Sequence, residues 1–169
     1  NYSSQQILDF VKQAIDLGIT TIDHADIYGK FECEEIFGNT LKLDPSIRQN
    51  IQLVTKCGIK FPAAKFPEYT MHIYDTSKEH IIKSAENSLK NLSTDYIDIL
   101  LIHRPDPLMN ADEIAEAFYQ LKKEGKVLNF GVSNFLQDQF NLIQSRLDFP
   151  LVTNQIEVSV LCTDHFDNN

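Results

Sequence analysis

Five short apolar segments of this 169-residue chain each end on a polar side chain. They are Thr20–Asp23, Ile51–Lys56, Ile97–His103, Asn129–Asn134 and Val152–Gln155. Their β-branched and aliphatic residues are typical of strands that are buried on both faces of a parallel sheet. Segments with helical periodicity lie between them. Because the carboxyl ends of parallel strands meet at one edge of a sheet, we expect the five polar ends to converge there.

The helices between these strands are predicted from capping residues and from apolar spacing. Capping boxes begin at three positions, Ser3-x-x-Gln6, Thr76-x-x-Glu79 and Asn110-x-x-Glu113. After the first of them, apolar residues recur with helical spacing and predict a stripe that faces the core. The stripe consists of Ile7, Phe10, Val11, Ala14 and Ile15. Weaker patterns predict helices over Cys33–Leu41 and Gln137–Arg146. Between these elements, Lys60–Asp75 contains two prolines and four aromatic residues without helical spacing, which predicts a long loop.

Alternating helices and strands are compatible with a closed (β/α)8 barrel and with an open, doubly wound sheet. A doubly wound sheet that binds a dinucleotide carries G-x-G-x-x-G after its first strand. The chain has only 6 glycines and no such motif, which favours the barrel. A complete barrel takes about 250 residues. We therefore expect an incomplete (β/α)8 TIM barrel with about five of its eight strands, in which residues 1–169 form a single partial domain. The chain is then expected to be a fragment or only part of a longer protein.

The charge balance limits the classes of partner. The formal net charge is −9, from 15 Lys and Arg against 24 Asp and Glu, which argues against nucleic acid and anionic membranes. No apolar run reaches the roughly 20 residues that cross a bilayer. The three cysteines are widely spaced without a C-x-x-C motif, which predicts reduced thiols in a cytoplasmic protein. We expect no metal site, because the histidines other than His103 lack ligand spacing. These are His24, His72, His80 and His165.

Four polar residues could together activate a carbonyl group. Asp23 and Lys56 end successive predicted strands, and neighbouring strands lie about 5 Å apart, so an ion pair is expected. Tyr28 follows shortly after Asp23, and an ammonium group beside a phenol makes that phenol a stronger general acid. His103, one predicted strand further on, could hydrogen-bond the same carbonyl oxygen and orient it. Asp26 also flanks Tyr28, but it lies beyond the predicted strand, and we therefore favour Asp23.

The last two strand ends carry neutral groups that suit a primary amide. Ser133, Asn134 and Gln155 provide hydroxyl and amide donors and acceptors at consecutive strand ends. The carboxamide of a nicotinamide has matching needs, which indicates hydride transfer to the activated carbonyl carbon, with Tyr28 supplying the proton. Taken alone, each residue also has a structural interpretation. Asp23 and Lys56 could form only a structural ion pair, Tyr28 could be a turn residue, and His103 could be a loop histidine. Their joint order along the chain is what favours catalysis.

Several stretches resemble the aldo-keto reductases, in particular a bacterial general-oxidoreductase branch. They are Gly18-Ile-Thr-Thr-Ile-Asp-His-Ala-Asp-Ile-Tyr-Gly29, Leu53-Val-Thr-Lys-Cys-Gly58, Tyr96-Ile-Asp-Ile-Leu-Leu-Ile-His-Arg-Pro105, Gly125-Lys-Val-Leu-Asn-Phe-Gly-Val-Ser-Asn-Phe135 and Asn154-Gln-Ile-Glu157. The resemblance implies reduction of a small carbonyl substrate by NADPH. It also implies a catalytic tetrad and nicotinamide contacts at the positions already singled out. The tetrad is Asp23, Tyr28, Lys56 and His103, and the nicotinamide contacts are Ser133, Asn134 and Gln155.

Relative to that family, the chain covers the first helix to the sixth strand. The resemblance implies that it lacks the first strand with its N-terminal hairpin and the last two strands with their helices. In the family, the loops after those strands hold the adenosine phosphate and pyrophosphate of the cofactor, so we expect this chain alone to bind NADPH poorly. Three alternatives stay open. The protein could be a cofactor-binding regulatory subunit of a membrane channel, an inactive fragment, or a Schiff-base lyase with Lys56 as the nucleophile. The sequence predicts neither the physiological substrate nor the oligomeric state.

Overall fold

The computed structural model of the chain describes residues 2–163, so His165 lies outside the described residues. Within them, the α-helices are α1 (Ser4–Asp16), α2 (Tyr28–Phe31), α3 (Cys33–Leu43), α4 (Lys78–Leu92), α5 (Ala111–Lys123) and α6 (Gln137–Gln144). A 3₁₀ helix covers Pro45–Asn50. The strands are β1 (Thr21–Asp23), β2 (Gln52–Cys57), β3 (Ile59–Lys60), β4 (Ile73–Tyr74), β5 (Ile97–Ile102), β6 (Val127–Ser133) and β7 (Asn154–Gln155). No helix within residues 2–163 is both long and apolar enough to cross a membrane.

Five parallel strands form one curled sheet in the order β1-β2-β5-β6-β7, so that β1 and β7 are its two edges. In this register Asp23 pairs with Val54, Lys56 with Leu101, and Ser133 with Gln155. The strand order follows the chain order because a helix-containing connection separates each strand from the next. The predicted fold is therefore confirmed: the sheet is a five-stranded part of a (β/α)8 barrel.

The helices bury the sheet through two apolar clusters. The larger cluster joins β5 and β6 to the helices α4 to α6, and Phe118 stacks on Phe130 inside it at 4.2 Å between ring centroids. The smaller cluster joins α1, α3 and β2. On α1 the buried residues are Leu8 and Val11, whereas the predicted core residue Phe10 is 70% exposed. Phe10 lies about 200° around the helix from Leu8, which places it on the opposite face.

Some boundaries differ from the sequence-based prediction. Helix α4 is capped by Ser77, whose hydroxyl accepts a hydrogen bond from the His80 N–H, and not by the predicted Thr76. The region predicted as a loop over Lys60–Asp75 is closed at its base by the antiparallel pair of β3 and β4. Strand β6 begins two residues earlier than predicted, at Val127, and β7 contains only Asn154–Gln155. Short edge strands and loop hairpins leave little periodicity in a sequence, which explains the differences at β7 and at the pair of β3 and β4.

Candidate active site

The polar strand ends converge at the carboxyl edge of the sheet. Asp23, Ser133 and Gln155 are the last residues of β1, β6 and β7. Lys56 is the next-to-last residue of β2, and His103 follows β5 directly. The curl of the sheet turns these side chains toward one another. The structure thus brings together the residues that were singled out from the sequence.

The ammonium group of Lys56 connects the acidic and the phenolic side chains. Lys56 is 1% exposed, and its Nζ donates to Oδ2 of Asp23 at 2.7 Å and to Oδ1 at 2.9 Å. It also donates to the backbone oxygen of His24 at 2.8 Å and contacts the Tyr28 hydroxyl at 3.2 Å. The side chain of the preceding residue, Thr55, points to the opposite face of the strand, where its hydroxyl donates to Glu34 at 2.7 Å. Strand alternation therefore directs Lys56 into the site.

Tyr28 lies at the start of α2, which is a single distorted turn. Its side chain is 36% exposed, and its ring lies edge-on to that of His103 with 5.8 Å between centroids. The next three residues have left-handed backbone, with φ of 59° at Gly29, 57° at Lys30 and 73° at Phe31. This turn, which sequence reasoning described only as a loop, directs the phenol toward Lys56 while the ring stays accessible to a ligand.

His103 is an uncharged imidazole at neutral pH. Burial, together with the nearby cations Lys56 and Arg104, lowers its pKa to about 4. The backbone N–H of His103 donates to the Cys57 oxygen at 2.9 Å, which continues the pairing of β2 and β5. Its Nδ1 is buried without a hydrogen-bond partner among residues 2–163. A neutral imidazole can donate one hydrogen bond and accept another, as the orientation of a carbonyl oxygen requires.

Asp26 lies apart from this group of side chains. Its Oδ2 accepts a hydrogen bond from the Ser84 hydroxyl at 2.6 Å, on the side of the sheet that α4 covers. Burial raises the pKa of Asp26 to about 7. The structure thus places Asp23, and not Asp26, against the Lys56 ammonium group.

The three residues predicted to hold a primary amide form a second, adjoining cluster. The Ser133 hydroxyl donates to the Gln155 backbone oxygen at 2.9 Å and accepts from Nδ2 of Asn134 at 3.2 Å. Oδ1 of Asn134 accepts from the Glu157 N–H at 2.8 Å. The side chain of Gln155 reaches Asp23, with 3.2 Å between Nε2 and Oδ1. Both clusters therefore share the Asp23 carboxylate.

This donor set suits a carboxamide. Gln155 presents an amide donor and an amide acceptor beside the ion pair. The Ser133 hydroxyl donates its proton to the Gln155 backbone oxygen, so it offers a ligand only an acceptor oxygen. The side chain of Asn134 is used within the chain, where it donates to the Ser133 hydroxyl and accepts from the Glu157 N–H. Asn154, the first residue of β7, instead accepts from the Phe135 N–H at 3.3 Å and donates to the Phe135 oxygen at 2.8 Å. Within residues 2–163 no three His, Cys, Asp or Glu side chains are grouped to hold a metal ion.

Sequence reasoning missed the residues that contact the turn after Tyr28. The ring of Phe31 packs against aromatic residues of the segment between β3 and β4, and the ammonium group of Lys65 donates to the Phe31 oxygen at 3.0 Å. The available signal was the high aromatic content of that segment. Nothing in the sequence showed which side chain those rings contact.

Comparison with known proteins places this geometry in a family. The model of the aldo/keto reductase family matches residues 1–169. The chain is 57% identical over 159 residues to the uncharacterized oxidoreductase YcsN of Bacillus subtilis, and the match covers 94% of the chain and 53% of that protein. It is 48% identical over 158 residues to a 6-dehydroglucose reductase of Agrobacterium fabrum, again with 94% and 53% covered. A solved glycerol dehydrogenase of Gluconobacter oxydans superimposes with a TM-score of 0.81 at 29% identity, over 96% of the chain and 48% of that protein.

The chain thus spans about half the length of the curated relatives it matches. The match extends over the whole chain and includes the stretches that carry Asp23, Tyr28, Lys56 and His103. The chain belongs to the aldo/keto reductase family.

Proposed function

We propose that the intact protein is an NADP-dependent oxidoreductase that reduces aldehydes or ketones to alcohols, with Tyr28 as the general acid. The observation that supports this most strongly is the contact of one buried ammonium group, that of Lys56, with both the Asp23 carboxylate and the Tyr28 hydroxyl. An ion-paired lysine keeps its charge in a buried position, and that charge stabilises the phenolate left after proton transfer. The arrangement provides an acid and no nucleophile.

Each residue then has a separate task. Tyr28 donates the proton to the carbonyl oxygen, and the positive charge of Lys56 stabilises the phenolate that forms. Asp23 holds Lys56 in place through two hydrogen bonds. His103, neutral because burial lowers its pKa to about 4, orients the oxygen without competing as the proton source. Its edge-on contact with the Tyr28 ring places both groups on the same side of the site.

Ser133, Asn134 and Gln155 are proposed to hold the nicotinamide through its carboxamide. When bound, the nicotinamide supplies the hydride. The preference for NADPH over NADH rests on the resemblance to the family alone. A sugar aldehyde is the first substrate to test, because one relative at 48% identity is a 6-dehydroglucose reductase.

The proposal is tested by following the oxidation of NADPH and, separately, of NADH by the intact protein. The carbonyl compounds are 6-dehydroglucose, a simple aliphatic aldehyde and a simple ketone. Turnover that depends on both the carbonyl compound and the reduced cofactor supports the proposal. Saturable NADPH binding without turnover of any compound would instead favour the regulatory subunit.

The Schiff-base alternative is tested on the same samples. Borohydride is added to the protein with the carbonyl compound in the absence of cofactor, and the mass at Lys56 is measured. The ion pair of Lys56 with Asp23 argues against trapping, because a charged amine is not a nucleophile. A borohydride-dependent adduct on Lys56 would contradict the assignment of Tyr28 as the acid in a reductase.

A further inference from the structure

Three consecutive residues after Tyr28 have backbone conformations that side chains disfavour. Gly29, Lys30 and Phe31 have φ values of 59°, 57° and 73°. Glycine adopts such angles freely, but Lys30 and Phe31 do so only when their surroundings hold them there. At Gly29 a side chain is also excluded by space, because a Cβ atom would lie 2.6 Å from the Cys33 sulfur. The turn that directs the Tyr28 phenol is therefore strained and needs external support.

That support comes from residues 59–74, which we call the clamp segment. The Phe31 ring is 6% exposed, and three rings of the clamp segment surround it. The centroid distances are 4.9 Å to Phe61, 4.7 Å to Phe66 and 6.3 Å to Tyr69. The ammonium group of Lys65 adds a hydrogen bond of 3.0 Å to the Phe31 backbone oxygen and an ion pair of 3.2 Å with Glu35 on α3. Both the side chain and the backbone of Phe31 are thus held from the same segment.

The clamp segment is itself fixed to the strand that carries Lys56. Strand β3 begins two residues after the end of β2, and its pairing with β4 closes the base of the segment. The ion pair of Lys60 with Asp75 and the hydrogen bond from the Asp75 N–H to the Gly58 oxygen, at 3.0 Å, tighten this base. A continuous set of contacts therefore runs from the end of β2 through the clamp segment to the turn after Tyr28.

We propose that the clamp segment positions Tyr28 relative to Lys56 and His103, and that Phe31 and Lys65 are positioning residues through which it acts. The catalytic consequence of this proposal rests on the proposed function of Tyr28. Phe31 makes no hydrogen bond to Lys56 or Asp23, and its backbone oxygen accepts instead from Lys65. Loss of the clamp contacts lets Lys30 and Phe31 relax toward ordinary backbone angles, which moves the phenol away from Lys56.

The first test follows the position of Tyr28 without relying on activity. The intact protein carries 3-fluorotyrosine at position 28, and its fluorine NMR signal is recorded in Phe31→Leu and in Lys65→Met. Both variants are expected to shift or broaden the signal. The matched control is Phe149→Leu, which also removes a ring from an aromatic contact, with Phe130 at 5.7 Å, but far from the turn. It is expected to leave the signal unchanged. An unchanged signal in folded Phe31→Leu and Lys65→Met would overturn the proposal.

The second test separates positioning from packing by kinetics. Phe31→Leu is expected to lower kcat by about tenfold or more while the Kd for NADPH stays within about twofold, since small displacements of a catalytic group can cost up to about 10²-fold in rate. Lys30→Gly, added to Phe31→Leu, is expected to restore much of the lost kcat, because glycine accepts left-handed backbone. No recovery in a double variant that is fully folded would contradict the role of the strained turn.

The proposed role of Tyr28 and the proposed role of the clamp segment can be refuted separately. If Tyr28→Phe keeps full turnover, the proposed function is wrong, while the fluorine signal still decides whether the clamp segment positions residue 28. If Tyr28→Phe is inactive but Phe31→Leu and Lys65→Met leave both the signal and kcat unchanged, Tyr28 is the acid and the clamp proposal is wrong.

Discussion

Gln155, at one edge of the sheet, donates a hydrogen bond from Nε2 to Oδ1 of Asp23, at the other edge, over 3.2 Å. The same Asp23 oxygen accepts from Nζ of Lys56 at 2.9 Å. The sheet therefore curls enough for both edge strands to reach one site. The residue proposed to hold the nicotinamide and the ion pair proposed to tune the acid contact a single carboxylate.

Gln155→Leu tests whether this amide holds the cofactor. Removal of a hydrogen-bonding partner costs about 1–3 kcal/mol, so the Kd for NADPH is expected to rise about tenfold in the intact protein. The reduction rate at saturating NADPH is expected to change far less. The control is Gln137→Leu, on the exposed start of α6, which should bind NADPH normally. Equal Kd values for Gln155→Leu and the parent protein would contradict the proposed nicotinamide contact.

Asp23→Asn tests the ion pair by stability. It leaves the Lys56 ammonium group, 1% exposed, without its anionic partner. Loss of one partner of a fully buried pair costs about 3–5 kcal/mol, and the 40% exposure of the Asp23 side chain reduces the expected loss to about 1–3 kcal/mol. Glu116→Gln breaks the exposed pair with Lys78 and should cost less than about 1 kcal/mol. Similar unfolding free energies for the two variants would show that burial of Lys56 is not costly.

The buried histidines make stability depend on pH. Burial lowers the pKa of His24, His80 and His103 to about 4 each in the folded state, from an ordinary value of 6.5. Between these pH values the unfolded chain binds protons that the folded chain excludes, so stability falls as pH drops from about 6.5 to about 4. Asp26 has the opposite effect on stability, because burial raises its pKa to about 7, from 3.8. Between these pH values the folded chain binds a proton at Asp26 that the unfolded chain releases, so acidification stabilises the fold at this group. Three groups against one give a net loss of stability on acidification.

The measurement is the free energy of unfolding of the intact protein in urea at about pH 7 and about pH 5. His80→Gln is expected to reduce the difference between the two pH values, since it removes one of the three groups. The charged and titratable groups that act on His80 are Lys60, Asp75 and Lys83, and the variant leaves them in place. The control is His72→Gln, whose side chain is exposed. A parent protein equally stable at both pH values would contradict the assigned burial.

The sequence was informative wherever one local pattern determined the structure. The apolar runs that end at Asp23, Lys56 and His103 predicted both the strands and the edge on which those side chains converge, because parallel strands share their carboxyl end. The sequence-based prediction failed where the burial of a side chain depends on residues that are distant in the sequence. Phe10 has apolar character and helical spacing, yet it faces away from the core cluster formed by α1, α3 and β2.

The candidate site also has a part that local sequence patterns predicted and a part that depends on tertiary packing. The residue types of the site could be predicted from strand ends, but the hydrogen bond from Gln155 to Asp23 depends on how far the whole sheet curls. The contact of Phe31 with Phe66 joins a strained turn to a hairpin, and neither feature has a periodic signal in the sequence. Contacts of this kind follow from tertiary packing and not from local propensity.

The assignment of Tyr28 as the general acid is tested by the rate of hydride transfer in Tyr28→Phe, measured in a single turnover of the intact protein with bound NADPH. The variant keeps the ring and its contact with His103 and removes only the hydroxyl near Lys56. We expect the rate of reduction to fall by about 10²–10⁴-fold, the usual contribution of a general acid, with NADPH affinity unchanged. Tyr2→Phe, at a tyrosine that is 80% exposed and precedes α1, should keep the parent rate. A Tyr28→Phe protein that reduces the carbonyl compound at the parent rate would contradict the role of Tyr28 as the proton donor.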